Sequence, residues 1–251
     1  MIARKRTLGI LLAGTTAVVW FAGALTSKAL RARASTNTAP VALTAEFVVK
    51  NYDAANRELV SSQDVFARRS DGSIVVVRKN VDNREVGIRR IFDTSRRQSI
   101  SLDPLTQSLL TYDLPSQEVE YLSAPGSNCQ ERNPYLETAN EPRAKVLGFE
   151  VVHLRGKPPG AEFYVNRWSA PALNCFVIRE ELTSSEFKQV RSTVSIQLGE
   201  PDPSLFDVPG NYVERSPSEI MALVAAQRDG RVDPHAASQL DSIYWNRKAR
   251  K

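Results

Sequence analysis

Histidine, cysteine and methionine are scarce in this chain: there are two of each in 251 residues. The histidines, His153 and His235, have no ligand-like neighbours, and the two cysteines do not form a CxxC pair. Zinc-type metal chemistry is therefore not expected. The stretches GxSxG, HExxH, GxGxxG and the phosphate-binding P-loop are also missing, which removes the common signatures of hydrolases, zinc proteases and nucleotide binders. Acidic residues are absent from positions 1–34, where Arg4, Lys5, Arg6, Lys28, Arg31 and Arg33 supply six positive charges. The formal net charge is +5, so residues 35–251 together carry a net −1. The basic character is a property of the N-terminus, and a basic footprint for nucleic acid is not present.

Long apolar runs are confined to one place. Residues 7–26, TLGILLAGTTAVVWFAGALT, hold no charge. Some twenty residues suffice for a helix to cross a bilayer core of roughly 30 Å. With Arg4-Lys5-Arg6 before it, residues 1–34 read as a signal peptide or a transmembrane anchor. Ala22-Gly23-Ala24 and Ala32-Arg33-Ala34 have the small-residue form of cleavage sites, so both outcomes stay open. The basic flanks balance, three against three, and leave orientation open. No cysteine lies near the end of the apolar run, which excludes a lipoprotein signal. The bulk of the chain is expected in the periplasm, exported or anchored to the cytoplasmic membrane by residues 7–26. In that oxidising compartment Cys129 and Cys175 are expected to pair, the alternative being two buried thiols.

What is present is a β-rich body. Residues 35–42 read as a polar linker and 43–213 as a curled antiparallel β domain. The period-2 segments are 43–52, 63–80, 85–93, 97–114, 145–156, 161–170, 175–182 and 187–200. Turn residues separate them, which suggests a single antiparallel sheet rather than βαβ units. Asp71-Gly72 is expected to supply both positive-φ positions of a tight hairpin turn, and Asp103-Pro104 to make a second hairpin. Residues 123–143 read as a long loop holding Cys129. From 214 to 251 the period changes to that of helices. Ser216, Pro217 and Glu219 form a capping box for a helix over 216–227, and Asp233-Pro234 opens another over 233–248. The final RKARK is a basic tail.

No constellation of catalytic side chains emerges. Glu180 and Glu181 are neighbours on a strand, so they point to opposite faces and cannot act together. Arg68-Arg69, Arg89-Arg90 and Arg96-Arg97 place one arginine of each pair outward, and interspersed acids make a mixed solvated surface the favoured reading over an anion site. No cofactor, metal or catalytic residue is expected, and ligand-binding residues are not identified.

Five ordered stretches do carry a resemblance: GIRRIFD (87–93), QSISLDPLTQSLLTY (98–112), VLGFEVVHLR (146–155), RWSAPALNCFVIREEL (167–182) and DPSLFDVPGNY (202–212). In this order they resemble the periplasmic lipoprotein-carrier and outer-membrane lipoprotein-sorting superfamily, among its uncharacterised exported bacterial members. The resemblance implies a mainly β, β-rich α+β fold: a strongly curled antiparallel sheet, an unclosed half-barrel with a few helices, here following an N-terminal hydrophobic helix. It implies an apolar concave face, with Leu205 and Phe206 fastening the end of the chain onto the sheet. The expected function is binding of an apolar ligand, a lipid or a lipoprotein acyl chain, in that concavity. The alternative is a periplasmic interaction module with a self-filled core and an envelope protein as partner. An exported hydrolase is the least favoured. Partners are accordingly lipid, lipoprotein, an envelope protein, and the inner membrane through residues 7–26.

Overall fold

The computed structural model describes residues 39–227 except 81–84, 86, 125, 127 and 142–143. The N-terminal segment, most of the linker, His235 and the helix expected over 233–248 lie outside the described residues. Thirteen strands and two α-helices follow one another: β1 Leu43–Asp53, β2 Glu58–Arg68, β3 Ile74–Lys79, β4 Arg89–Asp93, β5 Gln98–Asp103, β6 Ser108–Asp113, α1 Ser116–Ser123, β7 Glu137–Thr138, β8 Ala144–Val146, β9 Phe149–Gly156, β10 Tyr164–Ala170, β11 Phe176–Thr183, β12 Phe187–Leu198, β13 Val213–Glu214 and α2 Pro217–Gln227.

The strands form one sheet in the order β13-β6-β5-β4-β3-β2-β1-β12-β11-β10-β9-β7, with β8 attached to β9. Every pairing is antiparallel except β13 on β6. The first strand lies in the middle, hydrogen-bonded to β2 on one side and β12 on the other. The sheet is unclosed and strongly curled, as the resemblance implied. One distance demonstrates the curl. Phe66 on β2 and Phe176 on β11 are three strand spacings apart, roughly 14 Å in a flat sheet. Their ring centroids are 5.1 Å apart. Inward side chains of the two halves therefore meet across the concavity. Leu43, Ala45, Phe47, Phe66, Phe176 and Ile178 are buried there, with Leu122 of α1 packed against them.

The opposite face of β2–β5 holds a second apolar layer of Ala67, Val75, Val77, Ile91, Ile100 and Leu102. Leu205, Phe206 and Tyr212 cover it. The stretch after β12 thus fastens onto the convex side of the sheet. Asp202 caps its 3-10 turn through Ser204 N–H, 2.9 Å, and Arg69 lies over the Phe206 ring at 3.8 Å.

Two local expectations need correction. The loop after β2 is longer than a two-residue turn, and Gly72 alone has positive φ, +89°. Asp71 instead accepts a hydrogen bond from Ser73 N–H at 2.7 Å. Residues 145–156 are a hairpin, β8 and β9, not a single strand. Its turn is Leu147-Gly148 at φ 51° and 82°, and a leucine there carries no turn signal. The segment before the long loop contains α1, which follows Pro115. The capping box is present: Ser216 Oγ accepts from Glu219 N–H, and Ser216 N–H donates to the Glu219 carboxylate.

Candidate functional site

Side chains directly opposite one another on paired strands share a face. On the inner face, at the middle of the sheet, this rule lines up a charged row across six strands. Arg78 of β3 stands opposite Asp64 of β2, and Asp64 opposite Phe47 of β1. Arg191 of β12 stands opposite Val49, Glu180 of β11 opposite Arg191, and Arg167 of β10 opposite Glu180. Each position is the inward parity of its strand, continuous with buried residues two places away: Phe66 beside Asp64, Thr193 beside Arg191, Val165 beside Arg167.

The outer members of the row are paired. Arg78 makes a bidentate contact to Asp64, Nε to Oδ1 at 3.0 Å and Nη2 to Oδ2 at 3.2 Å. The Asp64 side chain is 4% exposed and that of Arg78 25%. Arg167 Nε donates to Glu180 Oε2 at 2.6 Å, and another of its N–H groups donates to Asn133 Oδ1. Asn133 in turn donates to the Cys129 carbonyl at 2.8 Å. Cys129 and Cys175 are bridged, with Cα atoms 5.1 Å apart. The disulfide packs with Leu136, Leu154 and Val165. The long loop is thus held against the end of the row, and Asn133 is delivered onto Arg167.

Arg191 differs. Its guanidinium lies over the Phe47 ring, 3.7 Å from the centroid. Its Nε is buried and has no hydrogen-bond partner among the described residues. Burial holds its proton affinity below that of an ordinary arginine, and the positive charges of Arg78 and Arg167 act in the same direction against the fields of Glu180 and Asp64. Arg90, inward on β4 and half-buried, is likewise lowered, by burial first and then by Arg78.

The concave face is therefore amphipathic: apolar and closed at one end, charged across the middle. A cavity of about 70 Å³ reaches Phe47 and Asp64 but is lined mostly by residues of the outward parity, Glu46, Gln63, Val65, Lys79 and Val194, and so does not lie in this concavity. Small-molecule sites typically measure roughly 300–1,000 Å³.

Apart from Arg90, the arginines singled out in the sequence go elsewhere. Arg68 is buried, donating to the Val41 and Leu173 carbonyls at 2.9 and 2.8 Å. Arg89 pairs with Glu85, and Arg96 with Asp93. Glu180 and Glu181 do face apart, the second pairing with Arg179. His153 stacks on Trp168 at 4.4 Å, and its ring nitrogens face Glu141 and Asn166, so neither faces a nucleophile. Asp64, Arg78, Arg167 and Arg191 were missed because an isolated charge within a strand reads as a solvated position. The available signal was parity: Asp64 alternates with Ser62, Phe66 and Arg68, none of which faces solvent. Among the described residues no three histidine, cysteine or acidic side chains converge as a metal site, and no helix is long and apolar enough to cross a membrane.

No protein-family model matches this chain, and no curated protein matches it. Solved structures similar to it include a LolA superfamily protein from Nitrosomonas europaea, 8% identical over 67% of this chain and 90% of that one, with a TM-score of 0.32. The MucA/MucB complex from Pseudomonas aeruginosa matches at 10% identity over 70% of this chain and 58% of that one, TM-score 0.43. PNGF-II matches at 11% identity and a TM-score of 0.45 over 74% of this chain, which spans 34% of PNGF-II. These are similarities of chain course, and no activity is transferred from them.

Proposed function

We propose that this protein is a non-catalytic interaction module of the cell envelope, exported or anchored through residues 7–26, that engages an envelope protein. One observation carries the reading: the apolar end of the concavity is filled by the chain itself. Leu43, Phe47, Phe66, Phe176 and Ile178 are all 0–6% exposed, leaving no apolar groove there for an acyl chain. The Cys129–Cys175 bridge fits an oxidising compartment.

A second reading, carriage of a lipid or lipoprotein acyl chain, is favoured by one feature. Leu59, Tyr164 and Phe187 are 62%, 42% and 40% exposed. They begin β2, β10 and β12, which puts them along one rim of the sheet. Native mass spectrometry of residues 35–251, exported to a bacterial periplasm and purified without detergent, separates the two. A clean apo mass, with a protein recovered on pull-down, is the expected result. Bound mass matching phospholipid or acyl chains would overturn it in favour of the carrier.

A further inference from the structure

The inner row contains three guanidiniums and two carboxylates, so its net charge is positive. Both carboxylates are already engaged, Asp64 by Arg78 and Glu180 by Arg167. Arg191 lies between these pairs with no ion pair or hydrogen bond among the described residues. The Arg191 side chain is only partly buried, but its Nε–H is shut away from water without an acceptor, and native proteins rarely leave such a group orphaned. The Phe47 ring compensates the face of the guanidinium, not its edge. The N–H groups lie on the edge and radiate in the guanidinium plane, the fork geometry that matches the paired oxygens of a carboxylate or phosphate.

The flanking cations are placed to help. The Arg78 and Arg167 side chains remain 25% and 27% exposed while bound to their acids. Arg90 stands on the neighbouring strand, one residue pair along from Arg78. The whole cluster lies on well-paired central strands, where a site is held rigidly.

We infer that Arg191, stacked on Phe47 and flanked by Arg78 and Arg167, is the centre of a binding site for an oxyanion: a carboxylate or phosphate group of one or two negative charges, carried by a small ligand. Phe47 positions the guanidinium. Asp64 and Glu180 hold the two outer arginines in place and keep the empty row from excessive repulsion. Asn133, tied to the disulfide loop, fixes Arg167 from outside the sheet. The inference goes beyond the protein-partner reading and does not depend on it.

The test uses the full-length chain, exported and purified in a non-ionic detergent, with 15N-labelled arginine. Inorganic phosphate and then succinate are titrated in, against sodium chloride at matched ionic strength, while the Arg191 Nε–H resonance is followed. The expected result is a saturable shift with one or both anions. Arg191→Lys, which keeps the charge and loses the fork, should bind at least tenfold more weakly. Saturation by phosphate alone assigns a phosphate ligand, and by succinate alone a carboxylate. A linear response in the wild type, or equal affinity in Arg191→Lys, would overturn the site. The wild-type titration decides even where the variant fails to fold. If neither anion binds while the pull-down still recovers a protein, the partner reading stands and this inference falls alone.

Discussion

The guanidinium of Arg191 rests on the ring of Phe47 at 3.7 Å, while its buried Nε has no hydrogen-bond partner among the described residues. Arg68, which is buried, lies on the same sheet with the opposite environment: two backbone carbonyls accept its N–H groups. Burial, together with the nearby charge of Arg132, still lowers its pKa to about 10. The same substitution should therefore have opposite signs at the two positions. Arg191→Met removes an uncompensated charge and leaves both ion pairs intact. It should raise the unfolding midpoint by about 2–4 °C, roughly 1 kcal/mol for a domain this size. Arg68→Met orphans the Val41 and Leu173 carbonyls and should cost roughly 2–4 kcal/mol. Differential scanning calorimetry in anion-free buffer measures both. A lower midpoint for Arg191→Met would mean that Phe47 and the nearby acids already compensate the charge.

The disulfide should contribute to folding and to the row together. Bridging residues 46 apart is worth roughly 4 kcal/mol in the chain-entropy model. Cys129→Ser with Cys175→Ser should lower the urea midpoint by about that free energy. It should also broaden the arginine side-chain resonance of Arg167, because Asn133 loses its tether. If the Arg167 resonance stays sharp, the loop is held by Leu136 and its neighbours rather than by the bridge.

Two glycines with positive φ separate backbone strain from crowding. Gly72 has φ +89°, and a Cβ there would meet Ser123 Cα at 2.8 Å and the Leu122 carbonyl oxygen at 2.9 Å, both backbone atoms of α1. Gly148 has φ +82° and open space around it. Gly148→Ala should cost only the conformational penalty, about 1–2 kcal/mol. Gly72→Ala should cost that and more, because α1 must move off the β2–β3 turn. Equal losses in chemical denaturation would show that α1 yields freely.

Two carboxyls are poised for acid sensitivity. The backbone N–H of Arg57 holds Asp53 below its ordinary 3.8, and the N–H of Ser204 does the same for Asp202. A depressed carboxylate pKa stabilises the fold above the unfolded value and loses that contribution as pH falls through the folded one. Stability should therefore decline below about pH 4. The Asp53→Asn, Asp202→Asn double variant should show a shallower decline between about pH 4 and pH 2 in thermal melts, while starting from a lower value at pH 7. An identical acid slope would assign the decline to other carboxylates.

The sheet was legible in the sequence because its strands alternate and their turns are punctuated. The capping box of α2 was legible for similarly local reasons, and the pairing of Cys129 with Cys175 followed from two cysteines in a chain expected to be exported. The 147–148 turn was not, since Leu147 adopts positive φ under tertiary constraint. The charged row was invisible for a different reason. Arg78, Asp64, Arg191, Glu180 and Arg167 lie on five strands scattered over more than half of the chain, and only register brings them opposite one another. A one-residue slip in any strand would turn its member outward. Parity of the faces is a property of the assembled sheet and not of any one segment.

The central place of β1 has a consequence for how the protein is made. Its register with β12 joins Leu43 to Leu198 and Asp53 to Phe187, so this early strand must wait for one made much later. Until then β2 to β6 can pair locally on one side of β1, while its other edge presents a row of bare N–H and C=O groups to other strands. Such long-delayed closure is slow and exposes nascent chains to mispairing. The half-finished sheet is therefore the state in which this protein depends most on being shielded.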